Sequence, residues 1–205
     1  MLIVSIKQIP LASFALAVNN VAIISSITVR NNTPNNYEGL KVRITFDPEF
    51  ADTVVEDIRA ILDAEAPISR RLLIKRLINN YGISRNGVRI NTYLTEVFED
   101  MGLVTSGAED IFYWKDQEQF ENYSGYRMAS ERESLDIAPE EVAQAILQVL
   151  KEQFAIDEDG LISETARLFG YASVHDNVNA SMKRGIEHAL KNNMIQLDGE
   201  RYKIS

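Results

Sequence analysis

Two stretches of this chain repeat one apolar-and-glycine pattern. Leu73, Ile74, Ile78, Tyr81 and Gly82 align with Leu161, Ile162, Ala166, Phe169 and Gly170 at a single constant offset. This spacing puts the apolar residues on one stripe of a helix. It puts the glycine just past the last turn, where left-handed backbone is favoured. An internal duplication is the simplest reading. Periodicity alone does not separate a duplication from a plain helical bundle; a hairpin after the third helix of each copy does.

In the first copy Val54, Ile58, Ile61 and Leu62 mark one helix, which Pro67 stops. Ser69 is placed to cap a second helix, with Ile68 and Leu73 at the two positions of a hydrophobic staple. Leu73, Leu77, Ile78 and Tyr81 face inward. Ser84 or Asn86 is expected to cap a third helix, with Ile90, Leu94, Val97, Phe98 and Met101 as its stripe. Residues 111–114 then read as a β-like run that completes a two-stranded ribbon. The second copy opens at Pro139, a residue suited to the first helical position, followed by Glu140 and Glu141 where carboxylates complement the helix dipole. Val142, Ile146, Val149 and Leu150 mark its first helix, and Val178, Met182, Ile186 and Leu190 its third. Past the aligned glycine this copy needs about one extra helical turn before its hairpin. That hairpin closes around Asp198 and Gly199.

Ahead of the repeats, residues 2–46 read as strands: apolar runs at 4–9 and 14–18, a turn at Asn19 and Asn20, and a β-branched stretch over 21–30. Residues 31–36 are a loop by composition, and 40–46 alternate apolar with polar. Between the copies, 116–138 is acidic, with Phe120, Tyr123 and Tyr126 at intervals of three. A structureless loop of that length is uncommon in a compact domain, so a partly docked linker anchored by the aromatics is expected. The fold class predicted is α+β: tandem winged-helix-like repeats preceded by a small antiparallel β segment. The expected divisions are 1–51, 52–115, 116–138 and 139–205.

The chain has 205 residues, no cysteine and a net charge of -9. Disulfides and cysteine-ligated zinc are excluded. Residues 1–17 lack the basic start of a signal peptide, and no apolar run approaches a membrane span; a cytoplasmic protein without membrane contact is expected. The acidic balance argues against a generic nucleic-acid binder, but its distribution is uneven. Residues 67–95 hold six Lys/Arg and no acid, whereas 96–141 hold thirteen acids and three bases. One local surface is therefore basic.

That surface carries the candidate nucleic-acid-binding residues Arg70, Arg71, Lys75, Arg76, Arg85, Asn86, Arg89 and Thr92. In a helix-turn-helix unit the third helix enters the major groove by its N-terminal residues. Arg85, Arg89 and Thr92 share a face there, and Arg71 and Lys75 share a face of the preceding helix, where they can hold phosphates. The competing reading is a solvated basic face, or one that pairs with the acidic linker. The second copy has Ala172, Ser173, Val174, His175 and Asp176 where the first has arginines, so a structural or protein-binding role suits it better. Phe112, Tyr113 and Trp114 can stack on bases, though a strand that alternates in and out more often uses such residues as core. His175 and His188 lack ligand-spaced partners, so no metal, cofactor or catalytic set is expected, nor a small-molecule substrate.

Glu-Ala-Pro-Ile over 65–68, Gly-Ile-Ser-Arg-Asn-Gly-Val-Arg-Ile over 82–90, Phe-Tyr-Trp over 112–114 and Ile-Ala-Pro-Glu-Glu over 137–141 resemble a bacterial domain of unknown function, number 3320. That domain is found near the C-terminus of large superfamily-1 helicase proteins, often with an endonuclease-like module. The resemblance covers roughly residues 53–205, and 82–90 is its most specific part. Residues 12–50 are similar to the opening of the same large proteins. No Gly-x-x-x-x-Gly-Lys-Ser/Thr loop is present, so the helicase motor and its ATPase activity are not implied. What the resemblance implies is a non-enzymatic accessory module of a helicase-type DNA-processing system, touching DNA mainly through its first repeat. The alternative is a protein-interaction module that docks a helicase or nuclease partner without direct nucleic-acid contact.

Overall fold

A computed structural model describes residues 2–8, 24–33, 49–83, 85–108 and 110–205. The expected strands at 14–18 and 40–46, the turn at Asn19 and Asn20, and the loop residues 34–36 lie outside the described residues. The architecture is α+β. Strands β1 (Leu2–Gln8) and β2 (Ile24–Asn31) come first, followed by α1 (Glu49–Glu65), β3 (Ile68–Ser69), α2 (Arg70–Asn80) and α3 (Val88–Asp100). Then come β4 (Thr105–Ser106), β5 (Phe112–Tyr113) and the short α4 (Gln117–Glu121). A single 3₁₀ turn at Ser134–Asp136 leads to α5 (Pro139–Gln153), α6 (Glu158–Leu168), α7 (Asp176–Lys191), β6 (Ile195–Asp198) and β7 (Arg201–Ile204). No described helix is long and apolar enough to cross a membrane.

The backbone divides into two compact units. One consists of residues 1–58 and 74–101, the other of 59–73 and 102–205. In the first, β1 and β2 pair antiparallel, with Leu2 opposite Asn31, Val4 opposite Val29 and Ile6 opposite Ile27; the register slips between Lys7 and Gln8. Its helical residues bury Val54 and Ile58, then Ile74, Leu77 and Ile78, then Ile90, Leu94 and Phe98. These are the stripes that the 3.6-residue period predicts. The Tyr81 hydroxyl donates to the Asp57 carboxylate at 2.7 Å. Burial, helped by that anionic neighbour, pushes the Tyr81 phenol well above its ordinary range. Helix α2 ends in a Schellman arrangement: Ile83 N–H donates to Ile78 O and Gly82 N–H to Asn79 O, with Gly82 at φ +69°. The α3 N-cap is Gly87, with no side-chain cap. Asn86 therefore does not cap this helix as expected, and Ser84 lies outside the described residues.

In the second unit the Ser69 hydroxyl accepts from Leu72 N–H at 3.1 Å and caps α2 as the sequence predicts. The ribbon has one strand more than expected. Residues 68–69 are extended before α2 and pair with β5, giving the antiparallel order β3-β5-β4. Trp114 and Phe112 are wholly buried beneath it, and Trp114 Nε1 donates to Ser106 Oγ at 3.0 Å. The core reading of this aromatic run therefore holds. Trp114 meets Phe120 and Tyr123 edge-on, and Tyr126 meets Phe169, so the linker aromatics are its anchors.

Helices α5, α6 and α7 and the hairpin β6–β7 share one core that includes Val142, Ile146, Leu150, Leu161, Phe169, Met182 and Ile195. Asp157 caps α6 by accepting from Gly160 N–H. Helix α6 ends as α2 does: Tyr171 N–H donates to Ala166 O and Gly170 N–H to Arg167 O, with Gly170 at φ +88°. The two glycines aligned in the sequence thus occupy the same position of the same motif. Gly185 has a different reason. A Cβ there would fall 2.2 Å from Val142 Cγ1, so only glycine permits this approach of α7 to α5.

Candidate nucleic-acid interface

The candidate residues divide between the units. Lys75, Arg76, Arg85, Asn86, Arg89 and Thr92 belong to the first, Arg70 and Arg71 to the second. In the first unit, α3 buries Ile90, Leu94 and Phe98 and so turns positions 88, 89, 92, 96 and 99 outward. Arg85, Asn86, Arg89 and Thr92 are exposed, as is Lys75; Arg76 is half-buried. Lys75, Arg85 and Arg89 have no ion-pair partner among the described residues. Thr92 Oγ1 donates to Val88 O within the helix at 3.0 Å.

Arg71 is different. Its Nη2 lies 2.6 Å from Asp136 Oδ2 and 2.9 Å from Glu133 Oε2, and its Nε donates to Asp136 Oδ1 at 3.2 Å. The hydrogen bonds it donates to Glu133 and Asp136 raise its pKa further. Asp136 is buried and also accepts from the Ser69 hydroxyl at 2.5 Å. For this one cation the acidic linker is the partner, the alternative the charge pattern had offered. The same habit runs through the second unit. Lys115 pairs with Asp63, Arg184 with Asp110, Lys183 with Glu158 and Lys203 with Asp198. Exposed pairs of this kind add little stability, but they do consume the positive charge.

The strongest polar cluster was not read from the sequence as such. Glu141 is 0% exposed. It accepts from Arg127 N–H at 2.8 Å, from Arg127 Nη2 at 3.1 Å, and from Arg132 Nη1 and Nη2 at 2.8 and 3.0 Å. Arg127 also donates to Glu65 O and Pro67 O, at 2.8 and 2.9 Å. Burial pushes the Glu141 carboxyl up, but the hydrogen bonds and charges of Arg132 and Arg127 outweigh it, and the net pKa is lowered. Both of its oxygens are occupied by donors from Arg127 and Arg132. The Tyr123 phenol beside this cluster is pushed up to about 12 by burial and by the Glu141 charge. A signal did exist: Glu141 shares a helical stripe with Ala145 and Val149, both buried. An acid on the core side demands cationic partners. Among the described residues no group of three His, Asp or Glu side chains is gathered to hold a metal.

The fold is thus a mixed one in which three helices and a closing hairpin follow the linker; of the exposed candidate cations of the first unit, Lys75 is on α2 and Arg89 on α3, while Arg85 precedes the Gly87 cap and so does not share the helical face expected for it. Residues 46–92 match a family model described as a protein of unknown function, DUF3320. The match takes in the Gly-Ile-Ser-Arg-Asn-Gly-Val-Arg-Ile stretch. It does not reach Phe112–Tyr113, residues 137–141 or the N-terminal segment. No curated protein and no solved structure matches the chain.

Proposed function

We propose that this chain is a non-catalytic accessory module of a helicase-type DNA-processing system, built of two winged-helix-like repeats and binding DNA through the first. The helicase association comes from the family resemblance alone. The observation that carries the DNA reading is the contrast in how cations are used. In an acidic protein, Lys75, Arg85 and Arg89 stand exposed and without ion-pair partners among the described residues, while Arg71 and most cations of the second unit are held by carboxylates. Phosphates supply the charge that these three side chains lack. Neutralising three phosphates gives a log–log salt slope of about -3.

The test is a titration of the full chain with fluorescent duplex and single-stranded DNA over a range of salt. Arg85→Glu with Arg89→Glu is expected to abolish binding without changing the circular dichroism or the unfolding midpoint. Absence of salt-sensitive binding by the unmutated chain at low salt would overturn the reading.

A second reading, docking of a helicase or nuclease protein through the second repeat, has an observation of its own. Phe154 is 82% exposed. It sits at φ 60°, ψ -49°, in a tight turn closed by Ala155 N–H to Gln153 O at 2.6 Å. A bulky residue at positive φ is costly, and such outliers gather at functional positions. A chain that ignores DNA in the titration above favours this reading.

A further inference from the structure

We infer that the outer face of α3 reads base edges in duplex DNA, with Val88 seated on the 5-methyl group of thymine. This rests on the DNA reading above and adds to it the kind of DNA recognised.

Val88 is 85% exposed, on a helix whose other apolar stripe, Ile90, Leu94 and Phe98, is buried. An exposed apolar side chain is ordinary by itself. This one is surrounded in sequence by Arg85, Asn86, Arg89 and Thr92, all exposed. An apolar side chain among arginines suits a surface that is anionic around a small apolar spot. The major groove offers that combination: phosphates on its rims, and the thymine methyl on its floor. Arg89, the next residue, carries the paired donors that match guanine O6 and N7.

Charge sets how much of the helix can enter. Glu96, Glu99 and Asp100 are exposed further along α3, and their carboxylates repel phosphates. Contact is confined to the first two turns, which is the part a recognition helix presents to base edges.

Gly87 points the same way from a separate observation. Its backbone, at φ -82° and ψ 163°, is extended and open to any residue. A Cβ there would meet nothing within 4 Å. Neither conformation nor packing within the described residues asks for glycine, and Ser or Asn would cap α3 somewhat better. The missing side chain leaves room for an approach from outside the molecule.

The experiment measures binding of the full chain to two pools of random-sequence duplexes, one made with thymine and one with uracil, which lacks only the methyl. The unmutated chain is expected to prefer the thymine pool by about fourfold, the worth of one buried methyl group. Val88→Ala is expected to bind both pools alike while keeping the salt slope. Gly87→Ser is expected to fold with an unchanged or higher unfolding midpoint and to bind more weakly. Equal binding of both pools by the unmutated chain, or a thymine preference that survives Val88→Ala, would overturn this inference and leave the DNA reading standing. Absence of salt-sensitive binding to either pool would overturn both.

Discussion

Replacing Glu141 by glutamine tests the account of the second unit at its most loaded point. The amide keeps the shape of the carboxylate but removes the charge, and it turns an N–H₂ group toward the guanidinium donors of Arg127 and Arg132. Glu141 is fully buried and the Arg132 side chain is only 9% exposed, so water cannot substitute at that end. Arg127 is about a third exposed and relaxes more readily. Removing one partner of a buried, hydrogen-bonded ion cluster costs about 3–5 kcal/mol; with Arg127 partly wet, the lower end, about 3 kcal/mol, is expected. Equilibrium urea unfolding, followed by Trp114 fluorescence, measures it. The same substitution has a pH signature. A carboxyl whose folded pKa is depressed contributes stability that is complete above its ordinary value of 4.5. That stability is lost as pH falls through the lowered folded value. The unmutated chain should therefore weaken on acidification below about pH 4.5 more steeply than Glu141→Gln does. A loss under about 1 kcal/mol, or identical acid limbs for the two proteins, would refute the claim that this carboxylate is ionised and holds the linker.

Two further substitutions probe backbone positions. Gly185→Ala forces a Cβ against Val142 and is expected to destabilise by about 1–3 kcal/mol through overpacking, with Gly185→Ala combined with Val142→Ala recovering part of the loss in the same urea assay. Gly82→Ala and Gly170→Ala, both at positive φ, should each cost about 1–2 kcal/mol; thermal unfolding of the two variants checks whether the aligned glycines do the same job.

How much of this was legible beforehand follows from which interactions are local. The helices and their buried stripes, the Ser69 cap, Pro139 at the start of α5 and the paired glycines all depend on residues a few positions apart, and spacing reports them. The aromatics at 120, 123 and 126 were readable as anchors because no solvated linker needs three large rings. Strand β3 was missed because two residues make no periodic signal; only Phe112 and Tyr113, more than forty positions away, define it. The charge pattern gave the right inventory of cations but could not sort them. Whether Arg71 meets a phosphate or Asp136 depends on a contact 65 residues apart in sequence, and composition does not encode that distance. Glu141 was read only in part, for a related reason. Its place in the first turn of α5 supplied a sufficient electrostatic explanation, and its place on the apolar stripe was overlooked.

The guanidinium of Arg127 spans three pieces of chain that are far apart in sequence: the carboxylate of Glu141 and the main-chain carbonyls of Glu65 and Pro67. Anyone dividing the molecule for expression from its sequence pattern would choose the boundary before Pro139. That cut sends Glu141 into the interior with neither of its counterions, and strands Arg127 and Arg132 on the other fragment. The boundary suggested by the apolar pattern and the extent of this buried ion cluster therefore do not coincide.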